Sequence, residues 1–462
     1  MTVPDGFVPA TPGSRDGPAR STTILAVALV AACVVQFLVR SLASPGIDFQ
    51  QFWSIAKAVH EPAVCRHPYR AEGREAIRAG LEARMADGKM GRRERAATTA
   101  NLTLGSQAGQ HVILPTGTPF FYAVFHGLGT VTGWNFEIAL PLYRIAMACA
   151  AVAAALLAID GRRGLSGTAI AAMVVLCSVL PEAAQTDARV ANVSILQGLG
   201  VAVASRMMRS ANLSSMLVAG FAFAVVTAFK PTTAGALAAV LLLLLAARQL
   251  RSCAALAAGA LAGVGVCVGL GAAWYGSLGG WVEWLDNMRE LAEPMRMFSA
   301  TLRDGNISLM QWLQETIGTR PRIPVAVAIG IVWIVAIGRR ASRPASGIVH
   351  EQAILLAACS GIVSTLFLAD LAWLHYYAIV LPLAIVLLGD QHGEVGDGPH
   401  MPAVVVGVGA FAALFGLELG TLLGVGPYVA VGIFHAGWLA LLVMSLIKVS
   451  AGQCPTTAHE QR

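Results

Sequence analysis

Charge is scarce in this chain. Of 462 residues only 13% are Asp, Glu, Lys or Arg, about half the share of a soluble domain, which argues against an ordinary water-soluble globule. The eight cysteines offer no CxxC pair and no Cys/His metal spacing, so neither a disulfide framework nor a zinc site is expected. Cys33, Cys149, Cys177, Cys253, Cys267 and Cys359 lie within apolar runs, where cysteine behaves as a small hydrophobe. Cys65 and Cys454 fall in separate polar segments, expected on opposite sides and therefore unpaired. No loop for a nucleotide phosphate is present, and no internal repeat of the kind that builds transporters from inverted halves. Basic residues are scattered among loops, which disfavours nucleic-acid binding. No small-residue cleavage site follows the first apolar run, 22–39, so an uncleaved first helix with a cytoplasmic N-terminus is expected.

What the chain has instead is apolar length. It is 56% hydrophobic, with mean hydropathy +0.66 and a pI near 9.0. Apolar runs near twenty residues recur from end to end, the length that crosses a ~30 Å hydrocarbon slab. They are continuous rather than alternating, which excludes a transmembrane barrel. The expected fold is therefore an all-α polytopic membrane protein. After 22–39 the runs are 112–131, 136–159, 165–181, 190–205, 213–229, 231–247, 253–275, 323–338, 352–372, 375–389, 402–425 and 428–448. The net charge of +6 fits cytoplasmic connectors that orient helices and meet anionic lipid. Arg162-Arg163, Arg206 with Arg209, Arg248 with Arg251, Arg339-Arg340 with Arg343, and Lys448 are those connectors.

Strict alternation from residue 159 satisfies all of them. It puts 182–189, the Lys230-Pro231 turn, segment 276–322 and the approach to His375 outside. Two full crossings between 111 and 160 would turn Arg162-Arg163 outward, so 112–131, broken by Pro115, Gly117, Pro119, Gly127 and Gly129, is expected to dip in without crossing. About twelve transmembrane helices result, with both termini inside. One membrane domain, 22–448, lies between a disordered cytoplasmic tail at 1–21 and a second tail at 449–462. The polar region 44–111 forms a long outer loop, and its Pro-free stretch from Tyr69 to Arg95 reads as one or two surface helices. Arg and Lys outnumber Asp and Glu there, but loops of that length escape the positive-inside rule.

The polar residues of interest collect on the expected outer side. Asp48 stands just past the first apolar run, where it either ends a helix or takes a proton from a hydroxyl. Lys230 sits between two apolar runs, where it either snorkels to the interface or holds a lipid phosphate. The segment from Gln185 to Ser194 opens a helix with acid, base and amides; Asn192, Ser194 and Gln197 could bond sugar hydroxyls or neighbouring helices. Trp281, Trp284 and Trp312 are explained by an aromatic belt. The turn Arg303-Asp304-Gly305-Asn306-Ile307-Ser308 is either an ordinary turn or part of a site. Asp370, Trp373, His375, Tyr376 and Tyr377 form a last cluster, in which His375 either donates to a phosphate or sugar oxygen or is an ordinary interfacial histidine.

Taken in order these pieces resemble a known pattern. Asp48-Phe49, Phe52-Trp53, Ala56, Ala58 and Pro68-Tyr69 look like the first outer loop of the polyprenol-phosphate-mannose-dependent mannosyltransferases, glycosyltransferase family 87. Pro115 to Leu128 is similar to that family's proline-rich apolar segment, and Ala191-Asn192-Val193-Ser194 with Gln197 to its Gly/Asn/Gln helix start. Lys230-Pro231 resembles its lysine-proline turn, Gly305 to Leu309 its Asn-x-Ser-Leu element, and Trp373 to Tyr376 its late Trp/His element. The likeness covers most of 44–389. It departs at Arg189-Val190-Ala191, where a Gly-Gln-x-Asn form is not literal, and in the long charged insert between Tyr69 and Pro115.

The resemblance implies a GT-C-like bundle with a catalytic outer loop after helix one. It implies an inverting enzyme of the inner membrane that moves a sugar, mannose by analogy, from a polyprenyl-phosphate donor to a lipid or glycan acceptor on the extracytoplasmic face. Asp48 would be the general base; Lys230, His375 and Arg189 would hold the donor phosphate. Asn192, Ser194, Asn306, Ser308 and Tyr376 would orient sugar or acceptor. No cofactor, no metal and no nucleic-acid partner is implied. The acids Asp48, Asp187, Asp304 and Asp370 are too dispersed in sequence to indicate a metal site. The competing functions are a transporter or flippase of a lipid-linked glycan, which would keep ionisable residues near mid-membrane, and a non-catalytic membrane scaffold, which would tolerate losing Asp48 and Lys230 together.

Overall fold

A computed structural model describes residues 17–61, 65–107, 115–160, 165–210, 212–297, 302, 305–343, 349, 351–389 and 403–451. Of the expected tails, 1–16 and 452–462 lie outside the described residues, as do the Arg162-Arg163 connector, Arg303-Asp304 and Cys454. Among the described residues the chain is helical throughout, and the sole β contact is an isolated antiparallel bridge between Asn306 and Trp373. The chain opens with α1 (Gly17–Ala43), which begins inside the expected tail. The polar segment expected as an outer loop then folds as α2 (Ile47–His60), α3 (Ala71–Ala86) and α4 (Arg92–Gln107). Next come α5 (Pro119–Val131), α6 (Phe136–Ile159), α7 (Gly167–Val174) with a π turn at Val175–Val179, α8 (Glu182–Val190) and α9 (Ser194–Met207). The middle holds α10 (Leu213–Phe229), α11 (Ala234–Ala246), α12 (Leu250–Tyr275), α13 (Gly279–Met297) and α14 (Leu309–Ile317). The last helices are α15 (Arg322–Ala341), α16 (Glu351–Leu368), α17 (Leu381–Gly389), α18 (Ala403–Leu422) and α19 (Pro427–Ala451).

Among the described residues six helices are long and apolar enough to cross a membrane: α1 from Ile24, α6, α12, α15, α18 and α19. The pair formed by α7 with its π turn and α8, bent by 54°, would be a seventh. This establishes a multi-pass helical membrane protein with fewer full-length spans than the twelve expected. The difference is physical. The apolar runs at 190–205 and 213–229 fold as α-helices of 14 and 17 residues, and those at 231–247 and 375–389 as a 3₁₀ turn followed by 13 and 9 α-helical residues; at 1.5 Å per residue the longest of these α-helices covers ~25 Å. Likewise α5 has 13 residues, ~20 Å of rise, while residues 112–114 of that expected dip are not described.

Close helix contacts follow from small residues. A Cβ on Gly220 of α10 would lie 2.0 Å from the Leu256 carbonyl oxygen of α12, and one on Gly259 would lie 1.9 Å from that of Leu217. Backbones this near need glycine on both sides, the usual device where lipid leaves no hydrophobic drive between helices.

An aromatic cluster fixes α2 against the body. Phe49, Phe52 and Trp53, spaced three and four apart, share one helix face. Phe49 lies 5.1 Å from Tyr143 and 5.4 Å from Phe125, and Phe52 lies 4.6 Å from Phe121. All three are buried, and aromatic pairs at these distances add ~0.5–1.5 kcal/mol each beyond area burial. Because Asp48 precedes Phe49, this packing locates the carboxylate.

Candidate functional site

Gly46 starts the site. Its φ of 74° and ψ of 58° are left-handed, and it caps α2 at the end of the turn from α1. A Cβ there would sit 2.9 Å from Leu140 Cδ1 and 3.1 Å from Arg144 Nη2, so both conformation and space require glycine. The turn puts Asp48 in the first turn of α2, where the helix dipole favours a negative charge.

Asn192 is the hub. It follows Ala191, whose φ of 56° is left-handed, and its backbone N–H donates to the Asp187 carbonyl at 3.0 Å. Its Nδ2 donates to Asp48 Oδ2 at 2.5 Å and faces His375 Nε2 at 3.1 Å. Its Oδ1 accepts from Lys230 Nζ at 2.7 Å and from the Val193 N–H at 2.7 Å. His375 Nε2 lies 3.8 Å from Asp48 Oδ2. The Lys230 ammonium stands 4.2 Å over the Tyr376 ring, a cation–π contact that holds it without neutralising it.

The ends of chain elements supply these groups. Lys230 caps α10, and Pro231 opens the 3₁₀ turn Pro231–Thr233 that leads into α11. His375 and Tyr376 belong to the 3₁₀ turn Leu374–Val380 ahead of α17. Asn192 and His375 are buried, whereas the Asp48 side chain remains 25% exposed. Burial pushes the Asp48 carboxyl above the usual carboxylate range; the Lys230 ammonium and the Asn192 hydrogen bond oppose that rise without overcoming it.

Two residues behind the cluster matter more than the sequence suggested. Arg144, in the middle of α6, is fully buried. Its guanidinium donates to the carbonyls of Ser44 at 2.9 Å, Arg189 at 3.0 Å and Ala188 at 3.3 Å. It therefore ties the turn that carries Asp48 to the end of the helix that leads to Asn192. The signal was available: a lone charge inside an apolar run is expensive and seldom idle. Asp187, also fully buried, accepts the Ile195 N–H at 2.9 Å and so caps the start of α9. Tyr143 completes the support, its hydroxyl donating to the Asn192 carbonyl at 2.7 Å.

The structure thus brings together Asp48, Asn192, Lys230, His375 and Tyr376, residues scattered over more than three hundred positions of sequence. Other expected site residues are engaged elsewhere. The Arg189 guanidinium pairs with Glu182 and with Thr186 Oγ1 rather than with this cluster. Ser194 is buried at the start of α9. Asn306 Nδ2 and Ser308 Oγ both donate to the Asp370 carbonyl, at 3.1 and 2.9 Å, while Asn306 Oδ1 accepts from the N–H groups of Ser308 and Ala372. These side chains stitch 306–308 to 370–372. Among the described residues no group of three or more His, Cys, Asp or Glu side chains could hold a metal ion.

Chemically, the cluster pairs a carboxylate that can take a proton with an ammonium that can face an anion. The contacts to Asp48 from Asn192 and His375 fall on Oδ2, and Oδ1 takes neither. Compared with protein-family models, curated proteins and solved structures, the chain matches none.

Proposed function

We infer that this protein is an inner-membrane glycosyltransferase of the GT-C type, using a polyprenyl-phosphate-linked sugar, with mannose the first candidate. The observation that carries this is the Asp48–Asn192–Lys230 chain with His375 alongside. It joins a proton acceptor to a cation across one amide, in a body otherwise poor in charge. In the proposed reaction an acceptor hydroxyl oxygen attacks the sugar C1 and its proton passes to Asp48. The bond from C1 to the phosphate oxygen breaks, and polyprenyl phosphate leaves with the electron pair. Lys230 and His375 would supply groups already in place to stabilise the phosphate as it gains charge. Attack opposite the leaving group inverts C1. With about twelve crossings, counting the short apolar helices, the 44–111 loop and the Asp48 cluster would face outside, the side on which such donors are used.

Purified protein in lipid nanodiscs, given polyprenyl-phosphate mannose and a membrane-lipid extract, should yield a product heavier by one hexose. Asp48→Asn should abolish that product while leaving expression and melting unchanged. Full transfer by Asp48→Asn would remove the carboxylate from the mechanism. The flippase alternative draws on the bent α7–α8 pair beside the cluster. It predicts instead that a fluorescent lipid-linked glycan changes leaflet in vesicles with no new bond made.

A further inference from the structure

The geometry points to a second site, outside the Asp48 cluster, that binds the headgroup of an anionic phosphodiester lipid. A cavity of about 540 Å³ lies where α15 begins, lined by Arg320, Pro321, Arg322, Ile323, Pro324 and Asp370. The charges on its wall are two guanidiniums and one carboxylate. Arg322 pairs with Asp370, and Arg320 Nη1 stands 4.0 Å from the same carboxylate while its Nη2 donates to Gln311 Oε1 at 2.7 Å. One positive charge is left over, the complement of a phosphodiester's single negative charge. Guanidinium forks match phosphate oxygens two at a time. Proline at 321 and 324 removes backbone N–H donors from the helix start, so recognition falls to the arginine side chains.

The same helix supplies a place for the lipid's chains. α15 is a full-length apolar span of which only 6% is buried within the protein. Ile323, Val327, Ile331, Ile334 and Val335 are all exposed, and at spacings of four, four, three and one they form one stripe that starts at the cavity. A free phosphate would use the arginines alone; an amphiphile uses both features, and this is the occupant the site fits. The cavity is also wired to the Asp48 cluster. Asp370 offers its carbonyl to Asn306 and Ser308, Asn306 bridges to Trp373, and His375 follows two residues later. A lipid seated here would brace the segment that presents His375 and Tyr376.

The test titrates the full chain in neutral detergent with phosphatidylglycerol, phosphatidylcholine and glycerol 3-phosphate, counting bound molecules by native mass spectrometry. Phosphatidylglycerol should be held at one tight site per chain, phosphatidylcholine more weakly, and glycerol 3-phosphate not at all. Arg320→Gln with Arg322→Gln should weaken phosphatidylglycerol on the order of thirtyfold, the effect of two basic residues facing one anionic headgroup. Asp370→Asn raises the net charge of the wall and should tighten it. Equal retention by the double variant overturns the proposal. So does equal binding of glycerol 3-phosphate, which would mean a free-anion site. Should the double variant not fold, unchanged or weaker binding by Asp370→Asn overturns it alone.

Discussion

Asn192→Asp tests the hub with almost no change of shape. Asn192 Nδ2 lies 2.5 Å from Asp48 Oδ2, so the substitution sets two carboxylate oxygens at hydrogen-bond distance. Unit charges that close repel by about 7 kcal/mol at an effective dielectric near 20, some five powers of ten in proton affinity. The Lys230 ammonium, 2.7 Å from Asn192 Oδ1, attracts the new carboxylate with nearly the same strength. Asp48 already faces that ammonium across the same amide, however, so a second carboxylate leaves one negative charge without a partner. The variant should relieve this by binding one proton between position 192 and Asp48. Infrared difference spectra, variant minus parent, near neutral pH should then show an added protonated carboxyl band that Asp48→Asn removes. The pH profile of transfer gives an independent check. A base must be deprotonated, so activity falls as pH falls through the Asp48 pKa. Burial already lifts that limb above the ordinary carboxylate range, and the variant should raise it further, by about two pH units or more. Superimposable spectra and profiles would refute the coupling of Asp48 to Asn192.

Two further outcomes follow from contacts around the hub. Arg144→Met leaves three carbonyls without a donor, each worth about 1–3 kcal/mol when buried, while sparing the cost of a buried guanidinium. A net loss of about 3 kcal/mol is expected, read as denaturant unfolding in mixed micelles; unchanged stability would mean that the clamp at Ser44, Ala188 and Arg189 is idle. Asn306→Ala removes three side-chain hydrogen bonds, two of them to 370–372 and one to the Ser308 N–H, while the Ile307 N–H keeps its bond to the Ala372 carbonyl. It should lower stability by about 1–3 kcal/mol, read as a lower melting temperature, with donor KM unchanged, whereas a raised KM at full stability would assign Asn306 to the sugar.

Much of the plan was legible in the sequence because its cause is local. Continuous apolar runs declare a helical membrane protein, and the Pro-free charged stretch after Tyr69 becomes α3 and the start of α4. Lys230-Pro231 marks a helix end because proline cannot donate and fixes its own φ. What was not legible depends on distance in space. Hydropathy cannot tell how much of an apolar run folds as one regular α-helix: α9 and α11 have only 14 and 13 residues. Nor can it tell that Asn306 and Ser308 spend their side chains on Asp370's backbone, since the partner lies more than sixty residues away. Arg144 was readable in principle. Its charge stands out in the run 136–159, but its three carbonyl partners exist only once α1, α6 and α8 are packed.

The members of the acid–amide–cation cluster come from element ends for a physical reason. Inside a helix the backbone bonds are closed and, in this body, the side chains facing lipid are apolar; unclaimed donors, acceptors and freedom of direction exist only where the ladder stops. Asp48 uses the first turn after a left-handed glycine. Asn192 follows a left-handed alanine, a conformation that costs a non-glycine residue about 1–2 kcal/mol, so the body must hold it open. The Asp187 carboxylate on the Ile195 N–H and the Tyr143 hydroxyl on the Asn192 carbonyl are the holding contacts. The 2.5 Å bond from Asn192 to Asp48 is therefore a relation between two turns, not between two helices. Arg144 reaches both turns at once. The helices could all persist while that relation is lost, which is why the integrity of the cluster has to be judged by the state of the Asp48 proton and not by helix content.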